Sequence, residues 1–339
     1  MNRPQIRPED DSLARENFAA LNDSFYRSTP HDHFARKAFQ LHYAAARPDE
    51  LDKAARQGGI AFDGLRLQPN PEGMWQDSDA HEQFLAVESE VLLHHLGEAL
   101  LRMYLGHEAL PLCPWLEIAR LRSFDRFKQR LRKQFIDSDA DSAIPEIAKV
   151  FFGAASRNQL FGGQEDPSEE RWTRGAQNIQ SFLWYFAKRN LDYANLYNAA
   201  KHGLAIKAGY ASSALLDPET GTPLIQIAGP SVEYLEVRDN GDGKRWNRTT
   251  TWVKVGRNFA LIWQAINMME ALWSVARQRY VGATRTHVNL FDGLDLRLLL
   301  EETKQDEGIL APDSISASLL YYENPKRSWR IEKGGRIEE

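Results

Sequence analysis

Four long stretches of this chain repeat their apolar residues at the spacing of an α-helix, and this periodicity restricts the fold more than any other feature. The first runs from about Ala80 to Leu105, with Phe84, Val87, Val91, Leu92, Leu96, Leu100 and Leu105 recurring. The second spans about Trp115 to Ile136 through Ile118, Leu121, Phe124, Phe127, Leu131 and Phe135. The third, about Ser168 to Lys201, is marked by Ile179, Phe182, Leu183, Phe186, Tyr193, Leu196, Tyr197 and Ala200. The fourth, about Gly256 to Tyr280, carries Phe259, Ile262, Trp263, Ile266, Met269, Leu272, Trp273 and Ala276. Residues three or four apart share a helix face, so each stretch presents a stripe that must be covered. Packing the stripes against one another gives a bundle. Between the third and fourth stretches the pattern changes. Leu215-Leu216, a turn at Asp217 to Gly221, and Leu224 to Ile227 read as a hairpin. Val232, Tyr234 and Val237 follow, and Trp246 to Val253 is rich in Thr and Trp, as strands are. The expected fold is mainly α, a helical bundle with a small antiparallel β insertion at about 204–253.

The bundle takes residues 81–280. Residues 1–80 read as a loosely packed N-terminal helical leader, with one helix from Pro30 to Ala46 and a short one from Glu50 to Gln57, stopped by Gly58-Gly59. The turn Asn70-Pro71-Glu72-Gly73 marks the boundary. Residues 281–339 form a C-terminal extension with a short helix near Leu294 to Thr303 and a strand at Ser316 to Tyr322. With 42% hydrophobic and 26% charged residues, the chain has the mixture of a globular protein rather than a disordered one. No apolar run approaches the ~20 residues that cross a bilayer, and the first residues lack an apolar signal core. A single cysteine, Cys113, excludes an internal disulfide framework and a cysteine-rich zinc site. The expectation is a cytoplasmic protein without membrane association.

Metal chemistry finds no support in the spacings. Asp137, Asp139 and Asp141 imitate the start of a calcium loop, but Ser142 stands where glycine is needed and Ala148 where glutamate is. Glu90 and His94 are four apart, not three, so the carboxylate–imidazole motif of di-iron bundles is absent. His31 and His33 have no nearby group to complete a site. Neither a metal nor another cofactor is expected.

Three constellations have chemical potential. Glu88, His95 and Arg102 are seven apart and stack along one helical face, either as a polar stripe in a cleft or as a solvated edge. Between Arg120 and Lys133 seven basic residues accompany one acid, Asp125, inside a chain of net charge −5. Arg122, Arg126, Arg130 and Lys133 of this run suit phosphate backbones, or pair with acidic groups of the fold or of a partner. The third is the helix end Tyr197-Asn198-Ala199-Ala200-Lys201-His202-Gly203. Asn198, Lys201 and His202 sit at i, i+3 and i+4, so an amide, an ammonium and an imidazole share one surface. The helix C-terminus favours a cationic histidine. Such a group can bind phosphate and move the proton of a ribose 2′-OH, or it can simply complement the helix dipole.

The run Tyr197-Asn198-Ala199-Ala200-Lys201-His202 resembles the signature of the HEPN superfamily, which is arginine, a polar residue, three variable residues and histidine. The polar residue and the histidine match, and Tyr197 stands in place of the arginine. The resemblance covers about 82–280. It implies a helical bundle, often a homodimer, that binds RNA or nucleotide and in many members is a metal-independent ribonuclease of phage-defence or stress systems. His202 would then be the general acid/base, Asn198 a positioning group and Lys201 a phosphate clamp, with Lys201 or Arg102 substituting for the missing arginine. A different class fits the residues as well: a non-catalytic helical interaction or scaffold protein whose basic helix meets an acidic partner.

Overall fold

A computed structural model of the chain describes residues 14–50, 53, 60–63, 65–67, 79–137, 143–162, 167–201, 205–216, 219–221, 223–239, 244–285, 287–293 and 314–318. Its centre is helix α3 (Ala80–His107), preceded by α1 (Arg15–Tyr26), α2 (Pro30–Ala46) and a short antiparallel hairpin, β1 (Ile60–Phe62) with β2 (Leu65–Leu67). Helix α3 buries Leu85, Leu92, Leu93, Leu96, Leu100, Leu101 and Tyr104, which spread round the cylinder rather than along one stripe. A helix apolar on every side belongs in the interior. Accordingly α2, α8 (Glu169–Asp192) and α10 (Val255–Val281) pack around it, and α4 (Pro114–Arg120) lies over its C-terminal half.

The N-terminal helices share this core. The sequence pattern marks no helix at α1, yet Tyr26 is buried and its hydroxyl donates to His107 Nε2 at 2.7 Å. His107 Nδ1 in turn donates to the Met103 carbonyl, also at 2.7 Å. Trp273 Nε1 donates to the Ser28 carbonyl and Asn22 to that of Leu112, fastening α1 to α10 and to the turn before α4. Helix α2 keeps its expected bounds and buries Phe34, Ala38, Leu41 and Ala44 in the same apolar cluster.

Helices α3 and α8 cross at Gly97, where any Cβ would collide with the ring of Phe186, itself fully buried. Alanine is the better helix former by about 1 kcal/mol. Here the steric term dominates, because a ring closed in by core atoms has nowhere to go. Gly97→Ala is expected to destabilise by about 1–3 kcal/mol, and Phe186→Leu in the same chain should recover part of that loss in urea unfolding.

The basic run does not form one helix. Helix α4 ends at Arg120, α5 begins at Phe124 and stops at Leu131, and one wide π turn follows over Arg132–Ile136. Ser123 enters α5 with extended backbone, φ −69° and ψ 123°. Arg102 stabilises the break: it donates to the carbonyl of Leu121, which the end of α4 leaves open, and its guanidinium lies 4.2 Å from the centre of the Phe127 ring. Two shorter helices, α6 (Ile144–Phe151) and α7 (Arg157–Phe161), lead into α8.

The third expected helix also divides. Helix α8 stops at Asp192, Tyr193 leaves helical geometry at φ −104° and ψ 17°, and α9 runs from Ala194 to Lys201. Strands β3 (Ile206–Leu216), β4 (Pro223–Asp239), β5 (Lys244–Trp252) and β6 (Ser314–Ser318) then form one antiparallel sheet in the order β3-β4-β5-β6. The register runs from Ile206 opposite Tyr234 to Leu215 opposite Ile225, so the expected hairpin arm and the segment after it are a single 17-residue strand. The strand expected at 316–322 begins earlier, and Ser314–Ser318 of the C-terminal extension closes the sheet against β5. Val232 and Tyr234 face the helices, in a second apolar cluster with Ala86, Leu196, Ala199 and Val253. The next inward residue is Glu236, while Val237 points out and is 44% exposed. Glu236 tolerates burial because Asn195, Thr249 and Arg238 all donate to its carboxylate. Those hydrogen bonds hold its pKa below the usual carboxylate range although burial alone would raise it. Most of the expected helix at Glu50–Gln57, the turn at Asn70–Gly73, residues 138–142 and the helix near Leu294–Thr303 lie outside the described residues.

Candidate functional site

Helix α9 carries the Tyr197–Lys201 part of the signature, and three contacts set its position. Leu196 and Ala199 pack on Val232 and Tyr234 of the sheet. Asn195 donates to Glu236 at 2.9 Å. Tyr197 stacks on His94 of α3, ring centres 4.2 Å apart and planes 11° from parallel. Together these leave Asn198 and Lys201 exposed on the remaining side of α9. His202 and Gly203 lie outside the described residues.

Beneath α9 is a tight crevice formed by Glu90 and His94 of α3, Arg189 of α8, Tyr193 at the break, and Tyr197 and Ala200 of α9. Arg189 and Glu90 form an ion pair with side chains only 11% and 7% exposed. Asn258 of α10 donates to Glu90 at 2.8 Å and to Ser89 at 3.2 Å, so three helices meet on one carboxylate. Burial works against the Arg189 charge, but Glu90 and the phenols of Tyr185 and Tyr193 outweigh it and hold the guanidinium protonated. Arg189 Nε and His94 Nε2 are buried without a hydrogen-bond partner. His94 has its pKa pulled down to about 3, first by burial and then by Arg189 and His95. It is therefore a neutral ring at physiological pH and too weak a base to move protons there. This crevice fixes α9; its charges are already engaged with each other.

The open side of α9 differs. His95 of α3 is partly buried and meets the Phe34 ring edge to face at 5.2 Å. Its pKa is lowered, by burial first and then by Lys37, with Glu98 opposing and His33 and Lys201 adding. Lys201 therefore lies within electrostatic reach of His95, across the seam between α9 and α3.

The other members of the proposed stripes do not converge here. Glu88 is exposed on α3. Arg102 is ion-paired to Glu98 at 2.6 Å and committed to Leu121 and Phe127, so it is not available to replace the signature arginine. In the basic run, Arg130 pairs with Glu108, Arg120 pairs with Glu117, and Lys128 sits over the Phe124 ring at 4.4 Å. Arg122, Arg126, Arg132 and Lys133 remain exposed on α5 and its flanks. Among the described residues no group of three His, Cys, Asp or Glu is placed to hold a metal ion, and no helix is long and apolar enough to cross a membrane.

Arg189 and Lys37 are participants that the sequence patterns do not single out, and His33 drew notice there only as half of an incomplete metal site. One signal for the crevice is present: Glu90 and His94 are four apart, and the spacing that excludes a di-iron motif also makes them neighbours on one face. His33 and Lys37 have the same spacing on α2. No protein-family model, no curated protein and no solved structure matches the chain.

Proposed function

We propose that this chain is a HEPN-like helical protein that binds RNA and cleaves it without a metal, as a cytoplasmic homodimer in a bacterial defence or stress system. What supports the reading is the exposed end of α9, which carries Asn198 and Lys201, with Lys201, His33 and Lys37 all acting electrostatically on His95. In the reaction His202 accepts the proton of a ribose 2′-OH. The 2′-oxygen attacks the adjacent phosphorus, the bond to the 5′-oxygen breaks, and that oxygen takes a proton from water while His202 returns its own to solvent. The products are a 2′,3′-cyclic phosphate and a 5′-hydroxyl. Lys201 holds the phosphate charge and Asn198 orients the group. With Tyr197 stacked on His94 in the arginine position, and Arg189 bound to Glu90, a single lysine carries the electrostatic stabilisation. A slow enzyme is the consequence, since a lost preorganised cation costs on the order of 3 kcal/mol, about two orders of magnitude in rate.

The test is RNA incubated with the full chain in excess chelator. Wild type is expected to generate cyclic-phosphate ends and His202→Ala to lose them. Intact RNA in both samples overturns the catalytic reading. The scaffold reading rests on the exposed Arg122, Arg126, Arg132 and Lys133. It predicts that replacing these four abolishes capture of an acidic protein while RNA is ignored.

A further inference from the structure

The edges of the Phe34 ring carry two imidazoles. His33, its neighbour on α2, meets it at 5.4 Å, and His95 of α3 at 5.2 Å, both nearly perpendicular to the ring. Phe34 is buried and supplies an apolar floor; His33 is exposed and His95 partly so. Lys37 follows His33 by one helical turn and lies on the same side of α2. Lys201 ends α9 on the far side of the seam, and both lysines are exposed. Lys37, His33 and Lys201 all act on His95 to oppose its charge. Among the described residues the carboxylate acting on that ring is Glu98, which is already paired with Arg102 at 2.6 Å. Two ammonium groups and a second imidazole, from α2 and α9, thus act on a ring whose acidic neighbour Glu98 is already paired. Positive groups that act on one ring favour an anion among them.

We infer that this seam, between α2 and α9 over His95, seats a backbone phosphate of a bound RNA strand. Lys37 and Lys201 grip the phosphate from opposite sides, and His33 and His95 donate to its oxygens. The inference rests on the RNA-binding reading above and adds to it the path of the strand, from the end of α9 across to α2. The lysines make point-charge contacts, so the seat reads the backbone and not the bases.

The experiment measures binding, separately from cleavage. The full chain is titrated into a fluorescently labelled single-stranded RNA of mixed sequence, by anisotropy, over a range of salt. Lys37→Ala and Lys201→Ala are each expected to weaken binding several-fold, and the double variant to lower the slope of log affinity against log salt by about 0.7, the value for one phosphate contact on a single strand. Both side chains are exposed, so the variants should fold, which circular dichroism checks. Arg126→Ala with Lys133→Ala should leave the seat intact and the effect of Lys37→Ala undiminished. Binding should tighten as pH falls from about 7.5 to about 5.5, because the bound phosphate favours protonated His95. His95→Gln should flatten that dependence. Unchanged affinity and salt slope in the Lys37→Ala, Lys201→Ala double variant overturn the seat while RNA binding itself stands. Wild type that ignores RNA overturns both. Lysine-dependent binding together with a silent cleavage assay keeps the seat and removes only the catalytic claim.

Discussion

Glu90→Ala is expected to destabilise the fold by about 3–5 kcal/mol, a large share of what a domain of this kind has to lose. The carboxylate is the shared acceptor of Arg189 and Asn258, and none of the three has water to fall back on. Removing it strands a buried guanidinium whose Nε already lacks a partner. The pair itself contributes far less than this loss, because forming it required two charges to leave water. Glu90→Leu with Arg189→Leu should therefore lie much closer to wild type than either single change, and urea unfolding of the four chains measures the coupling directly. A double variant no better than the single ones would show that the site needs its charges for more than mutual neutralisation. Loss of the pair should also free α9, since Arg189 packs over the Tyr193 ring, 5.2 Å away, at the point where α8 gives way to α9.

Acid should begin to destabilise the protein just below neutrality, before carboxylates titrate. His94 has a pKa of about 3 and His107 about 4 in the folded chain, each pulled down chiefly by burial from the ordinary value of 6.5. At pH above ~6.5 both states leave these rings neutral, and their stabilising contribution is complete. As pH falls below ~6.5 the unfolded chain takes up two protons that the folded chain refuses. Stability is then lost by up to about 3 kcal/mol per pH unit, reaching on the order of 5 kcal/mol by about pH 4.5. For His107 the refusal has a visible origin. Its Nδ1 is donating to Met103 and its Nε2 is accepting from Tyr26, so a second ring proton would break the contact that holds α1. Unfolding midpoints in urea between about pH 7.5 and pH 5 give the slope. His94→Gln and His107→Gln should each remove about one proton from it. A slope unchanged in both variants would assign the acid sensitivity to other groups.

The candidate site was only partly legible beforehand. The spacing of Asn198 and Lys201 places them on one side of a helix, and both are exposed there. The basic run from Arg120 to Lys133 looked like one cationic face, but Glu108 and Glu117 take two of its arginines and a break at Ser123 divides the rest. Arg102, a candidate substitute for the signature arginine, is drawn away by Glu98 and Leu121. Local spacing cannot reveal such pairings when the partner arrives from another helix. The seam at His95 was hidden for the same reason, since its groups come from residues 33, 37, 95 and 201.

By itself the sequence determined where the long helices and the sheet would be. Helix α2 has the bounds its apolar spacing marks, α3 and α10 match within two residues, and the change of period near residue 206 locates the strands. Periodicity is a local property, and burying a stripe or a pleat is a need that each segment carries alone. Only the tertiary structure decided where those elements bend. No glycine or proline lies between Asn190 and Leu196, yet the chain leaves helical geometry at Tyr193. The residues before it bury Phe182, Leu183 and Phe186 in the bundle, and those after it bury Leu196 and Ala199 against the sheet. One straight helix cannot face both surfaces, and the gain from covering both outweighs the few helical hydrogen bonds lost at the bend.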